Sequence, residues 1–198
     1  MTAKGAATRA RIVEGAAELI REHGIAGITL DDVRSHTRTS KSQLFHYFPG
    51  GREELLLAVA QHEADRVLED QRPYLDQLVT WEDWSKWRDV VVVRYRLQGP
   101  RCPLHALTSQ LGTNTPGAQS IVQQLMKDWE RPLRDGLVAM RKSGEVSVSL
   151  DPERYAQAIL AAVQGGVQIL IATGSSDHLE SALDMTLAAV RSHQLRSV

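Results

Sequence analysis

Two capping boxes, eleven residues apart, decide most of what residues 29 to 48 can become. In the first, Thr29 precedes Asp32 by three positions; in the second, Ser40 precedes Gln43 by three. In such a pair the hydroxyl accepts from a backbone N–H one turn on, and the longer side chain returns to the cap's own N–H, so a helix starts at a defined residue. The first box predicts a short helix near residues 30 to 37 with Val33 inward. The second opens a helix that "FPGG" stops at Pro49, Gly50 and Gly51. Two short helices about four residues apart form a helix-turn-helix.

Elsewhere helical periodicity dominates and strand alternation is almost absent, so the expected fold class is all-α. Ile12, Ala16, Leu19 and Ile20 share a face of a first helix, with Gly24 placed to end it. After Gly51, "REELLLAVAQHEADRVLED" forms a longer helix with Glu53 and Glu54 in its first turn and Pro73 as its stop. Thr80 with Asp83 opens a Trp-rich helix to about Leu97. A short helix around residues 104 to 111 and a "GTNTPG" loop come next. Residues 117 to 142 form a long helical pattern that Pro132 kinks or interrupts and Gly144 ends. Asp151 and Pro152 start a helix running to Gly174, and a last one spans about Ser176 to His193, for nine or ten helices in all.

Charge is divided unevenly. Residues 1 to 52 carry eight Lys and Arg against five Asp and Glu, a net +3; the remaining 146 residues carry 15 against 19, a net −4. An anion-meeting N-terminal segment is the implication. The single cysteine, Cys102, excludes an intramolecular disulfide framework and a multi-cysteine zinc site and fits a reducing cytoplasm. It is read as structural, although Arg101 and His105 nearby make a lowered thiol pKa conceivable. The charged start "MTAKGAATRARI" has no apolar h-region. "AILAAVQGGVQILIATG", residues 158 to 174, is short for a membrane span and holds Gln164 and Gln168, so it is read as a buried helix and no membrane partner is expected.

A helix laid in the DNA major groove needs polar residues at its N-terminal end and an apolar back to dock it. "TSKSQLFHYF" supplies both. Leu44 and Phe48, four apart, anchor one face and leave Lys41, Ser42, Gln43 and His46 outward. Gln43 can pair bidentately with an adenine edge, and Ser42 can meet several bases. Thr39, Ser40 and Tyr47 offer hydroxyls to phosphate oxygens, and Lys41 offers a point charge. Thr29, Arg38, Phe45 and Arg52 complete the expected DNA-facing set.

Two helices close the chain with apolar faces. Ala158, Ala161, Ala162, Gly165, Gly166 and Ile169 make a small-residue face, and Leu179, Leu183, Leu187 and Val190 a stripe. Ala158, Ala162, Gly165, Ile169, Leu179, Leu183, Leu187 and Val190 are the expected homodimer interface, an intramolecular core being the other use of the same pattern.

"RIVEGAAELIREHG", "GITLDDV" and "TSKSQLFHYFPGGREEL" together resemble the DNA-binding domain of the tetracycline-repressor (TetR) family of bacterial transcriptional regulators, over residues 9 to 55. "RCPLH" looks like the "GCPLG" element of one branch of that family. The resemblance implies a helix-turn-helix domain over residues 1–51, a linking helix over 52–72, and a C-terminal effector-binding and dimerisation domain over 73–198. Expected partners are a double-stranded DNA operator, a second copy, and a small apolar or aromatic effector among the middle helices. Trp84, Trp87, Tyr95, Met126, Trp129, Gln164 and Gln168 are the implied lining candidates, although aromatics of this size also serve as core. The sequence departs from the family at the turn, where Arg34, Thr37, Arg38 and Thr39 replace small residues and a Gly-Val pair. Arg38 thus sits where positive φ is often required, at a cost of about 1 kcal/mol or more.

No nucleophile–base pairing, carboxylate pair, phosphate loop or metal-ligand spacing emerges, so neither enzyme activity nor a cofactor or metal is expected. Ligand-released repression of a palindromic operator is the leading expectation. The alternative is a small-molecule-binding dimer whose degenerate head binds DNA without specificity.

Overall fold

The computed structural model describes residues 2–100, 102, 104, 105, 107 and 116–195. Among these residues there are eight α-helices and no strand; the one β-type contact is an isolated antiparallel bridge between Val146 and Gln194. The helices are α1 (Ala3–His23), α2 (Leu30–His36), α3 (Lys41–Tyr47), α4 (Gly51–Glu69), α5 (Trp81–Gln98), α6 (Pro116–Ser143), α7 (Pro152–Thr173) and α8 (Asp177–Arg191), with 3₁₀ turns at Ile25–Gly27 and Tyr74–Asp76. Leu104, His105 and Leu107 are helical; the rest of the expected 104–111 helix, most of "GTNTPG", and Arg101 and Pro103 of "RCPLH" lie outside the described residues.

The chain forms two compact units, Met1–Arg66 with Arg101–Gln123, and Val67–Pro100 with Gln124–Val198. In the first, the core is built from Ile12, Ala16 and Ile20 of α1, Val33 of α2, Leu44 and Phe48 of α3, and Leu55 and Val59 of α4. Leu107 belongs to the same core and is fully buried, although it lies far beyond α4 in sequence. Both capping boxes exist: the Thr29 hydroxyl accepts from Asp32 N–H at 3.2 Å while the Asp32 carboxylate accepts from Thr29 N–H at 2.8 Å. The Ser40 and Gln43 pair repeats this at 3.1 Å in each direction.

In the second unit, Thr80 and Asp83 form a third capping box ahead of α5, and the Asp151 carboxylate caps α7 by accepting from Glu153 and Arg154 N–H. Gly174, at φ 77°, ends α7 in the left-handed region that glycine occupies without a Cβ penalty. α7 and α8 pack as a helical hairpin. A Cβ on Gly166 would stand 2.4 Å from Leu179 Cα, so only glycine lets the two backbones approach this closely. α6 runs unbroken through Pro132, where a kink or interruption was expected. Proline removes one intrahelical hydrogen bond; the fully buried Leu133 and Leu137 and the buried Trp129 hold the helix on both sides of it. α7 is long and apolar enough to cross a membrane, but its Ile159, Val163, Val167 and Leu170 are buried against the rest of the chain.

Candidate nucleic-acid interface

The turn between α2 and α3 decides whether α3 can be presented at all. Arg38 adopts φ 50°, as its position requires, in a region that costs a non-glycine residue about 1 kcal/mol or more. Neighbouring contacts determine it several times over. The Thr37 hydroxyl donates to Val33 C=O at 2.6 Å, Thr39 N–H donates to Arg34 C=O at 2.9 Å, and the Thr37 and Thr39 hydroxyls meet at 2.9 Å. From α1, the Arg11 guanidinium donates to Thr37 C=O. Gly15 lets α1 come so near that a Cβ there would lie 2.4 Å from Thr37 Cγ2. The substituted turn therefore leaves both short helices and their caps intact.

On α3, Leu44 and Phe48 are fully buried, as expected, and Lys41, Ser42, Gln43, Phe45 and His46 face solvent. Phe45, 40% exposed, is the one large exposed hydrophobic among the described residues of the first unit. Tyr47 is half-buried, its ring edge-on to His46 at 5.0 Å. The ion pairs of this unit use Arg21 and Arg66 with Glu63 and Arg34 with Asp31, and the His36 and His23 rings lie beside the Glu18 and Glu22 carboxylates. Neither Arg38 nor Lys41 takes part in an ion pair among the described residues, so both charges remain available for an external anion. Asp32 titrates below its ordinary value, chiefly because the Thr29 hydroxyl and then its backbone N–H bond the anion.

Several expected contact residues need correction. Thr39 is only 5% exposed and its hydroxyl is held by Thr37, so it builds the turn and cannot reach a phosphate in this form. The Thr29 hydroxyl is bonded to the Asp32 carboxylate at 2.6 Å as well as to its N–H, which makes it a cap. Arg52 donates to Ile25 C=O at 2.9 Å, pinning the connection after α1. Gln43 is outward, but its Oε1 serves the capping box. Reading the sequence missed Arg11 and Gly15; a glycine inside an otherwise regular helix was the available sign of a close approach. It also missed Arg9, whose guanidinium lies 5.1 Å over the Phe48 ring.

The second unit sorts the remaining candidates. Trp84, Trp87, Tyr95 and Trp129 are buried, Met126 and Gln164 half-buried, and Gln168 exposed, so Gln168 does not line an interior cavity. Trp87 Nε1–H donates to the buried Gln71 at 2.8 Å, a satisfied core contact, whereas the buried indole N–H groups of Trp84 and Trp129 meet no acceptor among the described residues. On α7, Ala158, Gly165 and Ile169 are exposed and Ala162 half-buried. On α8 the outcome is reversed. Leu179, Leu183 and Val190 are buried within the chain itself and cannot meet a second copy, because the α7–α8 hairpin has consumed that stripe; Leu187 is half-buried. The outward face of α8 instead carries Ser181, Met185 and Ala189, with Met185 73% exposed.

Residues 12–59 match the family described as bacterial regulatory proteins, tetR family, and residues 81–186, more than half of the chain, match the tetracyclin repressor-like C-terminal domain. An uncharacterized HTH-type transcriptional regulator of Lactococcus lactis subsp. lactis is 24% identical over 90% of each chain. The HTH-type transcriptional repressor AcnR of Corynebacterium efficiens is 39% identical over 62 residues, 31% of this chain and 32% of that one. Among solved structures, a TetR transcriptional regulator from Chloroflexus aurantiacus J-10-fl superimposes with a TM-score of 0.77 over the whole of both chains at 24% identity. The SmeT–triclosan complex gives 0.68 at 22% identity over 92% of this chain and 91% of that one.

Proposed function

This chain belongs to the TetR family of bacterial regulatory proteins, and on that premise we propose that it is a repressor released from a palindromic operator by a small-molecule effector. The observation that carries the reading is the outward face of α3. Lys41, Ser42, Gln43, Phe45 and His46 stand exposed on a helix whose back is locked by Leu44 and Phe48, beside the unpaired cation of Arg38. Hydroxyl, amide and imidazole groups suit base edges, and free cations suit phosphates.

A homodimer is part of the same reading, because two-fold symmetry sets two recognition helices about one helical turn of DNA apart, ~34 to 36 Å. The surface favoured for it is formed by the exposed Ala158, Gly165 and Ile169 and the half-buried Ala162 on α7 with Met185 and Ala189 on α8; small residues there allow close helix approach. In this reading residues 1–51 are the head, 52–72 the link and 73–198 the effector and dimer domain, with Leu107 of the last completing the core of the head, and the protein acts in the bacterial cytoplasm. Repression is favoured by the likeness to AcnR, which is named a repressor, and effector binding by the likeness to SmeT, which was solved with triclosan. An effector that prefers a form with wrongly spaced heads must weaken DNA binding by the factor that DNA weakens effector binding.

The test is a titration of the purified protein on DNA from its own upstream region against a scrambled duplex, at two salt concentrations. Preference for the native duplex at both salts supports a specific regulator. Equal affinities that vanish together at the higher salt, followed by failure to select any sequence from random DNA, would remove the reading.

A further inference from the structure

Between the first turns of α5 and the last turns of α8 lies a groove of about 330 Å³, lined by Trp81, Trp84, Leu187 and Ala188 and rimmed by Arg88, Asp184 and Arg191. Its polar groups are unequally satisfied. Asp89 and Asp184, the two carboxylates at the groove, are both taken by Arg88, at 3.1 and 2.8 Å. Ser85 is occupied as well, its hydroxyl donating to Trp81 C=O at 2.9 Å. Among the described residues, the cation at the groove that no carboxylate engages is Arg191. The Arg191 guanidinium lies 4.9 Å over the Trp81 ring and, among the described residues, meets no carboxylate. Trp81 and Trp84 give the groove their ring surfaces only: their indole N–H groups are shut off from it inside the protein and, among the described residues, meet no acceptor.

A guanidinium stacked on an indole and without a carboxylate partner is held in place to form two parallel bonds to an anion. The complement of such a groove is a molecule with an acceptor-rich end and a flat apolar body. We infer that the α5–α8 groove binds a small aromatic carboxylate, its ring against Trp81, Leu187 and Ala188 and its carboxylate on Arg191. The volume sits at the small end of the ~300 to 1,000 Å³ range of ligand pockets, which fits one or two rings. This site differs from the middle-helix lining expected from the sequence, with which it shares Trp84 alone. It also names where and on what chemistry the proposed regulation would act, and that consequence rests on the regulatory reading above. The groove residues Asp184, Leu187, Ala188 and Arg191 occupy one side of α8, and Met185 and Ala189 an adjacent side, since successive residues step ~100° around a helix. A ligand joining Arg191 to Trp81 therefore ties α5 to the helix that carries the proposed dimer face.

The test uses the full-length chain with benzoate, phenylacetate and 2-naphthoate as probes and benzamide as the uncharged control, followed by calorimetry and by ligand-observed NMR. The carboxylates should bind saturably and benzamide at least about tenfold more weakly. Arg191→Gln should weaken the carboxylates about tenfold or more, and Ala188→Phe, which fills the groove from an exposed position, should abolish binding; circular dichroism establishes that both variants are folded. No saturable binding by any carboxylate, or binding that neither substitution changes, overturns the inference, as does a shift of Ala188→Phe to monomer, which would mean that a second copy occupies the groove. Binding of these probes by a protein that shows no DNA preference would leave the groove standing and sink the regulatory reading instead.

Discussion

The side-chain oxygen of Gln43 accepts the Ser40 backbone N–H at 3.1 Å, so the residue best suited to read adenine also starts the helix that presents it. These two duties can be separated. Gln43→Glu keeps the acceptor of the capping box and loses the amide donor that a bidentate adenine contact needs. It should melt within about 0.5 kcal/mol of the parent while discrimination at one base pair falls by about 1 to 3 kcal/mol. Gln43→Ala should lose the same discrimination and a further ~1 kcal/mol of stability. Urea unfolding alongside binding to single-base operator variants distinguishes the two.

Arg38 carries an unpaired charge on a backbone at φ 50°. Arg38→Gly relieves the strain and removes the charge, so stability should be held or rise by up to about 1 kcal/mol. DNA affinity should fall, and the salt dependence should lose about one unit of slope per head. Unchanged affinity would take Arg38 out of the phosphate-contact set.

Gly15 and Thr37 bring α1 against the turn more closely than a methyl group permits. Gly15→Ala should destabilise the head by about 1 to 3 kcal/mol, because the added carbon displaces Thr37 and the hydrogen bonds it makes. Specific DNA binding should drop with it, whereas Ala10→Gly, at an exposed position of the same helix, should lose only about 1 kcal/mol of helix propensity.

The α7 and α8 surfaces give opposite outcomes for neighbouring substitutions. Met185→Glu places a charge on the proposed dimer face and should convert the protein to a folded monomer in sedimentation. Leu183→Ala empties a fully buried site within the chain and should cost about 2 to 5 kcal/mol of unfolding free energy. A Met185→Glu dimer as tight as the parent would exclude that face.

Glu180 on α8 ties to α5 through Arg96 at 2.6 Å, and its carboxyl titrates below the ordinary 4.5, chiefly because the Ser176 hydroxyl and then Arg96 bond the anion. Since the unfolded chain takes up this proton first, the stabilisation is complete above 4.5 and is lost as pH falls through the lower native value. Glu180→Gln should flatten the fall of Tm as pH drops through and below the ordinary 4.5 and leave its slope near neutrality unchanged.

The parts of the fold that were legible in the sequence are those whose chemistry closes within one helical turn. Thr29 with Asp32, Ser40 with Gln43, Thr80 with Asp83 and Asp151 ahead of Pro152 all cap where their spacing says they should. The Leu44 and Phe48 anchor was legible for the same reason. Leu179, Leu183 and Val190 show the limit. A stripe of apolar residues states that a face is covered, and its spacing is the same whether the cover is α7 of the same chain or a helix of another. Thr39 fails differently: its hydroxyl is attractive to a phosphate on paper, and only the folded turn brings Thr37 within 2.9 Å to claim it. Nor could periodicity pair Trp81 with Arg191, which are far apart in the chain.

Leu107, fully buried among residues of α1 to α4, has a consequence for the order in which the protein can be made. The head's short helices and caps are all encoded before Glu69, yet the head's core lacks a leucine until the ribosome has translated well past that point. A fragment cut after α4 would carry every expected DNA-contacting side chain and still leave a leucine-sized void in the core beneath them.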